Sequence, residues 1–196
     1  VSLGSSDSFD VSLGDVDGDR DLDAFVANRQ GGTNKIWLND GSGTFTDSGQ
    51  SLGASRSRGV DLGDVDDDGD LDAFVTNYNQ PDKVWINDGN GNFTDSGQSL
   101  GSSKSFGIEL SDVDDDGDLD AFVANEGGQP NKVFINDGNG TFTNSGQSLG
   151  SSRSYGIELG DVDDDGDLDA FVANYGQGNR VWINDGFTDV GDITLN

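Results

Sequence analysis

Aspartates at alternate positions of a short loop are the chemistry this chain offers most plainly. Residues 64–72 read Asp-Val-Asp-Asp-Asp-Gly-Asp-Leu-Asp, and the same nine positions return at 112–120, at 161–169 and, with two changes, at 15–23. Aspartate therefore stands at loop positions one, three, five, seven and nine of every copy. These are Asp15, Asp17, Asp19, Asp21 and Asp23, then Asp64, Asp66, Asp68, Asp70 and Asp72. The third and fourth copies supply Asp112, Asp114, Asp116, Asp118 and Asp120, and Asp161, Asp163, Asp165, Asp167 and Asp169. In a tightly curved loop alternate residues turn inward, so positions one, three and five set three carboxylates around one point. Position seven can add its backbone carbonyl, and position nine can close the shell. Glycine at position six (Gly69, Gly117, Gly166) permits the positive φ of a sharp reversal.

An anionic, all-oxygen cage of this kind predicts calcium, which takes 6–8 oxygens at 2.3–2.6 Å in irregular geometry. Magnesium demands stricter octahedral geometry. Zinc prefers His or Cys, and the chain contains neither. A helix-loop-helix calcium hand begins in the same way but needs a bidentate acid at position twelve. Here position twelve is Val26, Val75, Val123 and Val172, and a strand-like run follows. A merely solvated acidic turn would not keep five aspartates in register through four copies. Calcium is the expected cofactor, about one ion per repeat. Arg20 replaces glycine at position six of the first copy, which predicts that 15–23 is the weakest site.

The first-position aspartates lie at 15, 64, 112 and 161, so a unit of about 49 residues carries each loop. One unit divides into four strand-like runs. Phe106-Gly107-Ile108-Glu109-Leu110 alternates with period two, and the acidic loop follows it. Ala121 to Asn125 and Lys132 to Asn136 are short apolar runs bounded by turn residues. Asp137-Gly138-Asn139-Gly140 is a hairpin signal, and Thr141-Phe142-Thr143 opens the fourth run. Ile36-Trp37-Leu38, Val84-Trp85-Ile86 and Val181-Trp182-Ile183 repeat the third run, with Phe45, Phe93 and Phe187 in the fourth. Apolar residues on both faces of the third run predict sheets packed between neighbours. The fold class is all-β. Four short strands per unit predict a β-propeller of four four-stranded blades, near 5–53, 54–101, 102–150 and 151–196, in one domain. The calcium loop joins the first and second strands of each blade. One closed ring within the chain is expected, with a ring shared between chains, or blades joined end to end, as the alternative. The tail from Val190 departs from the repeat and predicts the domain's end.

The formal net charge is −28, from 38 acidic and 10 basic residues. That excess repels nucleic acid and anionic membrane surfaces and favours a cationic partner. Four divalent ions would bring −28 to about −20 (4 × 2 = 8). With no cysteine, disulfides are excluded. No apolar run reaches the roughly 18 residues of a membrane span. No leader is visible and Val1 already follows the repeat, so an upstream segment is expected to have been removed.

Phe-Gly-Ile-Glu-Leu followed by Asp-x-Asp-x-Asp-Gly-x-x-Asp, at Phe106 to Asp120, resembles the FG-GAP repeat of integrin α-subunit propellers. Asn-Asp-Gly-Asn-Gly-Thr-Phe at 136–142 is similar to the closing part of the bacterial VCBS repeat. The resemblance implies calcium in the loop between the first two strands of each blade, an extracellular setting, and adhesive or carbohydrate-related roles. Family propellers usually have six to eight blades.

Catalysis has little footing. His and Cys are absent, and Asp61, Glu109 and Glu158 share one repeat position that reads as a polar stripe on the innermost strand. Related propellers include polysaccharide lyases with Lys, Arg or Tyr bases. Lys35, Lys83, Lys132 and Arg180 recur too regularly for that and read as strand-edge charges. The stronger rival is a calcium-dependent lectin stacking sugars on Trp37, Trp85, Trp182, Tyr78 and Tyr175, although tryptophans inside apolar runs belong first to a core. Asn92 and Asn139 open N-glycosylation triplets of the kind that arise by chance in an Asn- and Thr-rich repeat. The sequence thus predicts a calcium-binding, extracellular, non-enzymatic structural or adhesive module. Its expected partners are itself, in a dimer or fibre, and other extracellular proteins or glycans. Nucleic acid and membrane insertion are not expected.

Overall fold

The computed structural model describes residues 3–186. Four antiparallel sheets follow one another along the chain, each a meander in sequence order. The first is β1 (Ser8–Gly14), β2 (Asp23–Asn28), β3 (Lys35–Asn39) and β4 (Phe45–Asp47). The second is β5 (Ser57–Gly63), β6 (Asp72–Asn77), β7 (Lys83–Asn87) and β8 (Phe93–Asp95). The third is β9 (Ser105–Ser111), β10 (Asp120–Asn125), β11 (Lys132–Ile135) and β12 (Thr143–Asn144). The last sheet has β13 (Ser154–Gly160), β14 (Asp169–Asn174) and β15 (Arg180–Trp182) within the described residues. Phe187, expected in its fourth strand, and the tail from Val190 lie outside them.

The sheets stack face to face. β5 lies on β1 and β2, β9 on β5 and β6, and β13 on β9 and β10. Between them run three apolar layers. Phe25 and Ile36 meet Val60, Val75 and Trp85 in the first; Phe74 and Val84 meet Val123, Phe134 and Phe142 in the second; Phe122 and Val133 meet Ala170 and Val172 in the third. A sheet covered on both faces loses the in–out alternation of a one-sided sheet, and β6 and β10 are buried at all six residues. Trp85 is a core residue, and Trp182 packs against the third layer, as core tryptophans should. Among the described residues no such layer joins the first sheet to the last, so a ring closed within the chain is not seen there.

Each connection between sheets is clipped to the sheet it leaves. Leu52 exchanges two backbone hydrogen bonds with Asn34 (3.1 and 3.2 Å), and Leu100 does so with Asp82 and Leu149 with Asn131. Lys35, Lys83 and Lys132 donate to the carbonyl oxygens of Gln50, Gln98 and Gln147 at 2.8–2.9 Å. These lysines fasten the connections, a structural use beyond the edge charges expected of them.

Candidate metal centres

Each acidic loop leaves the end of the sheet's first strand and returns as its second. The ninth aspartate makes that return rigid. Asp72 Oδ2 accepts the Val65 amide at 3.1 Å and its Oδ1 accepts the Asn87 amide at 2.8 Å, so one carboxylate ties the loop's start to the third strand. Asp23, Asp120 and Asp169 repeat both bonds, and all four are fully buried. The first aspartate closes the loop on itself: Asp64 accepts the amides of Asp68 (3.2 Å) and Gly69 (2.9 Å).

In three loops this construction gathers positions one, three and nine: Asp64, Asp66 and Asp72; Asp112, Asp114 and Asp120; Asp161, Asp163 and Asp169. In the first loop the group is Asp15, Asp17 and Asp19. Within each group one oxygen per residue lies within 4.8 Å of the others. Oxygens on opposite sides of a calcium ion stand about 4.8 Å apart, twice the bond length, so the donor sets match that ion in size. Asp66 Oδ1 and Asp114 Oδ1 are buried and have no hydrogen-bond partner, as an oxygen aimed at a cation would be.

The fifth aspartates Asp68, Asp116 and Asp165 stand outside those three groups, where each accepts the amide two residues on at 3.0 Å. The seventh aspartates turn away. Asp70 lies against Gly89 of the β7–β8 hairpin, so close that a Cβ at Gly89 would collide with its carboxylate. Asp21, Asp118 and Asp167 face Gly41, Gly138 and Gly186 in the same way. These side chains brace the hairpin and stand outside the groups of three.

Packing carboxylates together raises their proton affinity. Burial pushes Asp72 and Asp120 up to about 7. Asp114 rises to about 6, through burial first and then the charge of Asp116. A divalent ion reverses this tendency by supplying the missing positive charge.

Two left-handed residues shape every loop, where the sequence had pointed to one. Position four has positive φ as well as position six: Asp67 (60°) with Gly69 (95°), Asp115 (58°) with Gly117 (99°), and Asp164 (63°) with Gly166 (101°). The first loop exchanges the two types, with Gly18 at 78° and Arg20 at 76°. Each loop therefore has one glycine and one strained side chain. The handicap of Arg20 is reduced to its charge and to its being a poorer left-handed residue than aspartate.

A second set of residues was hidden from periodicity. The register of each first strand shifts near its start, beside Phe9, Arg58, Phe106 and Tyr155, and such a bulge re-aims side chains. Arg58 stacks over Phe9 (4.6 Å), Tyr78 (5.2 Å) and Phe106 (5.3 Å). Beside it Arg29, Gln30, Arg56 and Arg58 line a pocket of about 370 Å³. Burial and the neighbouring Arg29 charge lower the proton affinity of Arg58. Further round, Arg153 pairs with Glu126 at 2.9 Å. The repeats differ most in type along this stripe, at the end of the sheets opposite the acidic loops. Elsewhere burial, and then the charges of Asp61 and Glu158, push Glu109 up to about 7.

Fold and loops together define an all-β repeat protein with one acidic cage per repeat. The chain belongs to the FG-GAP-like repeat family, whose model matches residues 15–75, 64–120 and 112–172. Among the curated proteins none matches it. No helix of the described residues is long and apolar enough to cross a membrane.

Proposed function

We propose that the chain is a calcium-stabilised β-propeller module of the extracellular space, with its sheets as blades, acting as a non-enzymatic scaffold for adhesion to proteins or glycans. The observation that carries this is the fourfold recurrence of the acidic cage, with Asp66 Oδ1 and Asp114 Oδ1 buried and unpaired inside it. Calcium would be held by positions one, three and nine, or one, three and five in the first loop. It would supply the charge that lets crowded carboxylates ionise together. The carboxylates set the cage, the carbonyl of position seven can add to it, and the buried ninth residue passes the loop's order into the sheet. Titration calorimetry should find about four calcium ions per chain. Chelator should lower the unfolding midpoint, since each ion present at 100 times its dissociation constant adds about 2.7 kcal/mol. An unchanged midpoint in chelator would sink the proposal.

A glycan-binding role is favoured by one observation, the stripe of guanidinium groups and rings around Arg58. Stacked rings beside cations suit sugars that carry carboxylates. The buried Trp85 does not offer such a platform.

A further inference from the structure

We propose that copies of this chain dock head to tail, the outer face of one copy's last sheet receiving the outer face of the next copy's first sheet. The repeat supplies the argument, because the exposed apolar groups on these two faces have counterparts that are buried or partly buried at a junction inside the chain.

Val16, Phe25 and Ile36 face the second sheet and are 1%, 0% and 0% exposed. Their counterparts in the last sheet, Val162, Phe171 and Val181, are 56%, 46% and 42% exposed. On the receiving side of that same junction lie Val60, Leu62 and Leu71. Their counterparts in the first sheet, Val11, Leu13 and Leu22, are 53%, 58% and 57% exposed. The outer faces of the first and last described sheets are thus the two unlike halves of a junction that is built three times between the sheets.

The fit extends to single atoms. At Gly14 a Cβ would stand 2.6 Å from Leu71 Cδ1 and 3.2 Å from Leu62 Cδ1 of the next sheet. At Gly63 it would stand 2.7 and 3.2 Å from the same carbons of Leu119 and Leu110. At Gly160, the corresponding residue of the last sheet, nothing lies within 4 Å. That open space stands where Leu22 and Leu13 of a second copy would lie. Polar pairs repeat the pattern. Asn87 and Asn136 donate to the Val16 and Val65 carbonyl oxygens of the sheet before, each at 2.8 Å. Asn39 and the Val162 carbonyl are the corresponding halves at the two ends. Leu3 and Asn179 likewise stand where Leu52 and Asn34 exchange their backbone bonds, and Leu3 is 41% exposed against 4% for Leu52.

Because the halves differ, the contact is heterologous: it closes a ring when the step between sheets brings a second copy round, and runs on as an open stack otherwise. A second copy of this chain carries every one of these counterparts. Copies at −28 repel, so calcium and added salt should strengthen the association.

The test is solution mass by light scattering in calcium, up to about 0.1 mM chain, well above the micromolar end of standard-size interfaces. The expected mass is a multiple of 20.5 kDa. Gly160→Lys places a side chain in open space, so the folded chain should keep its circular dichroism and return to 20.5 kDa. The chain has no cysteine, so Leu22→Cys and Gly160→Cys, mixed and treated with a short bis-maleimide, should give a cross-linked dimer, and neither variant alone should. A wild-type monomer throughout that range overturns the inference. So does an oligomer that survives Gly160→Lys, or cross-linking within one variant. Calcium binding measured on the Gly160→Lys chain keeps a failure of docking distinct from a failure of the metal sites.

Discussion

The third and last sheets spell their second strand identically, Asp-Ala-Phe-Val-Ala-Asn, at Asp120–Asn125 and Asp169–Asn174. In β10 all six residues are buried; in β14 the phenylalanine is 46% exposed, against 1% for Phe122. The same six residues become a core or a surface according to what lies beside them. Burial in this molecule is a property of junctions between repeats, and stability should follow the junctions. The comparison breaks most readily at its phenylalanines. Phe122→Ala should cost about 3–5 kcal/mol in urea unfolding with calcium present. Phe171→Ala, in the monomeric Gly160→Lys background, should cost about 0.5 kcal/mol, as surface changes do. Equal losses at the two sites would mean that the last sheet is covered by something in its own chain.

The interior junctions are not equivalent either. Asn34, Asn131 and Asn179 each accept the amide at the end of the preceding strand at 2.9–3.0 Å, but the second repeat uses Asp82, at 2.7 Å from the Asn77 amide. Ser105 Oγ donates to the other oxygen of Asp82 at 2.8 Å, and Asn125 Oδ1 is left buried without a partner. Burial pushes Asp82 from 3.8 up to about 8. A raised carboxyl keeps its proton in the folded chain while the unfolded chain releases it, so stability falls as pH climbs from 3.8 towards about 8. Asp82→Asn removes that dependence and keeps the bond from Asn77. The variant should match the wild type near the acid end and exceed it by several kcal/mol above pH 8. Denaturant titrations across that range check it; a constant offset would exclude the proton as its source.

Most of the architecture was legible because it is repeated. Strands, hairpins and loops fall where alternation, Asp-Gly turns and the aspartate spacing put them. A register seen four times is hard to mistake. Three things were not legible, each for a physical reason. Period two cannot see a bulge, so nothing in the alternation marks Arg58 and Phe9, which the extra residue turns into a stacked stripe. Spacing set positions one, three and five around one point, whereas in three loops position nine stands with one and three and position five lies outside the group. Asp72 is known as a clamp only once Val65 and Asn87 are seen donating to it, and Asp70 as a hairpin brace only once Gly89 is seen against it. The repeat also concealed its own ends, since nothing in Asp-Ala-Phe-Val-Ala-Asn tells β10 from β14.

The smallest expected effect concerns the loop most unlike the others. Glycine at position six with aspartate at four, or the reverse arrangement with Arg20, leaves one strained residue per loop, so strain alone does not rank the sites. What remains against the first loop is a side chain that tolerates positive φ poorly and carries a cation beside the cage. Arg20→Gly gives that loop glycine at both left-handed positions, where the other three keep an aspartate. The change should stabilise the calcium-loaded chain by about 1 kcal/mol. It should also tighten the weakest of the calcium-binding steps by about fivefold, a shift of roughly 1 kcal/mol in binding. Calorimetric titration of the variant against the wild type reads both. A stability gain without any change in the binding steps would show that Arg20 strains the loop but leaves its ion untouched.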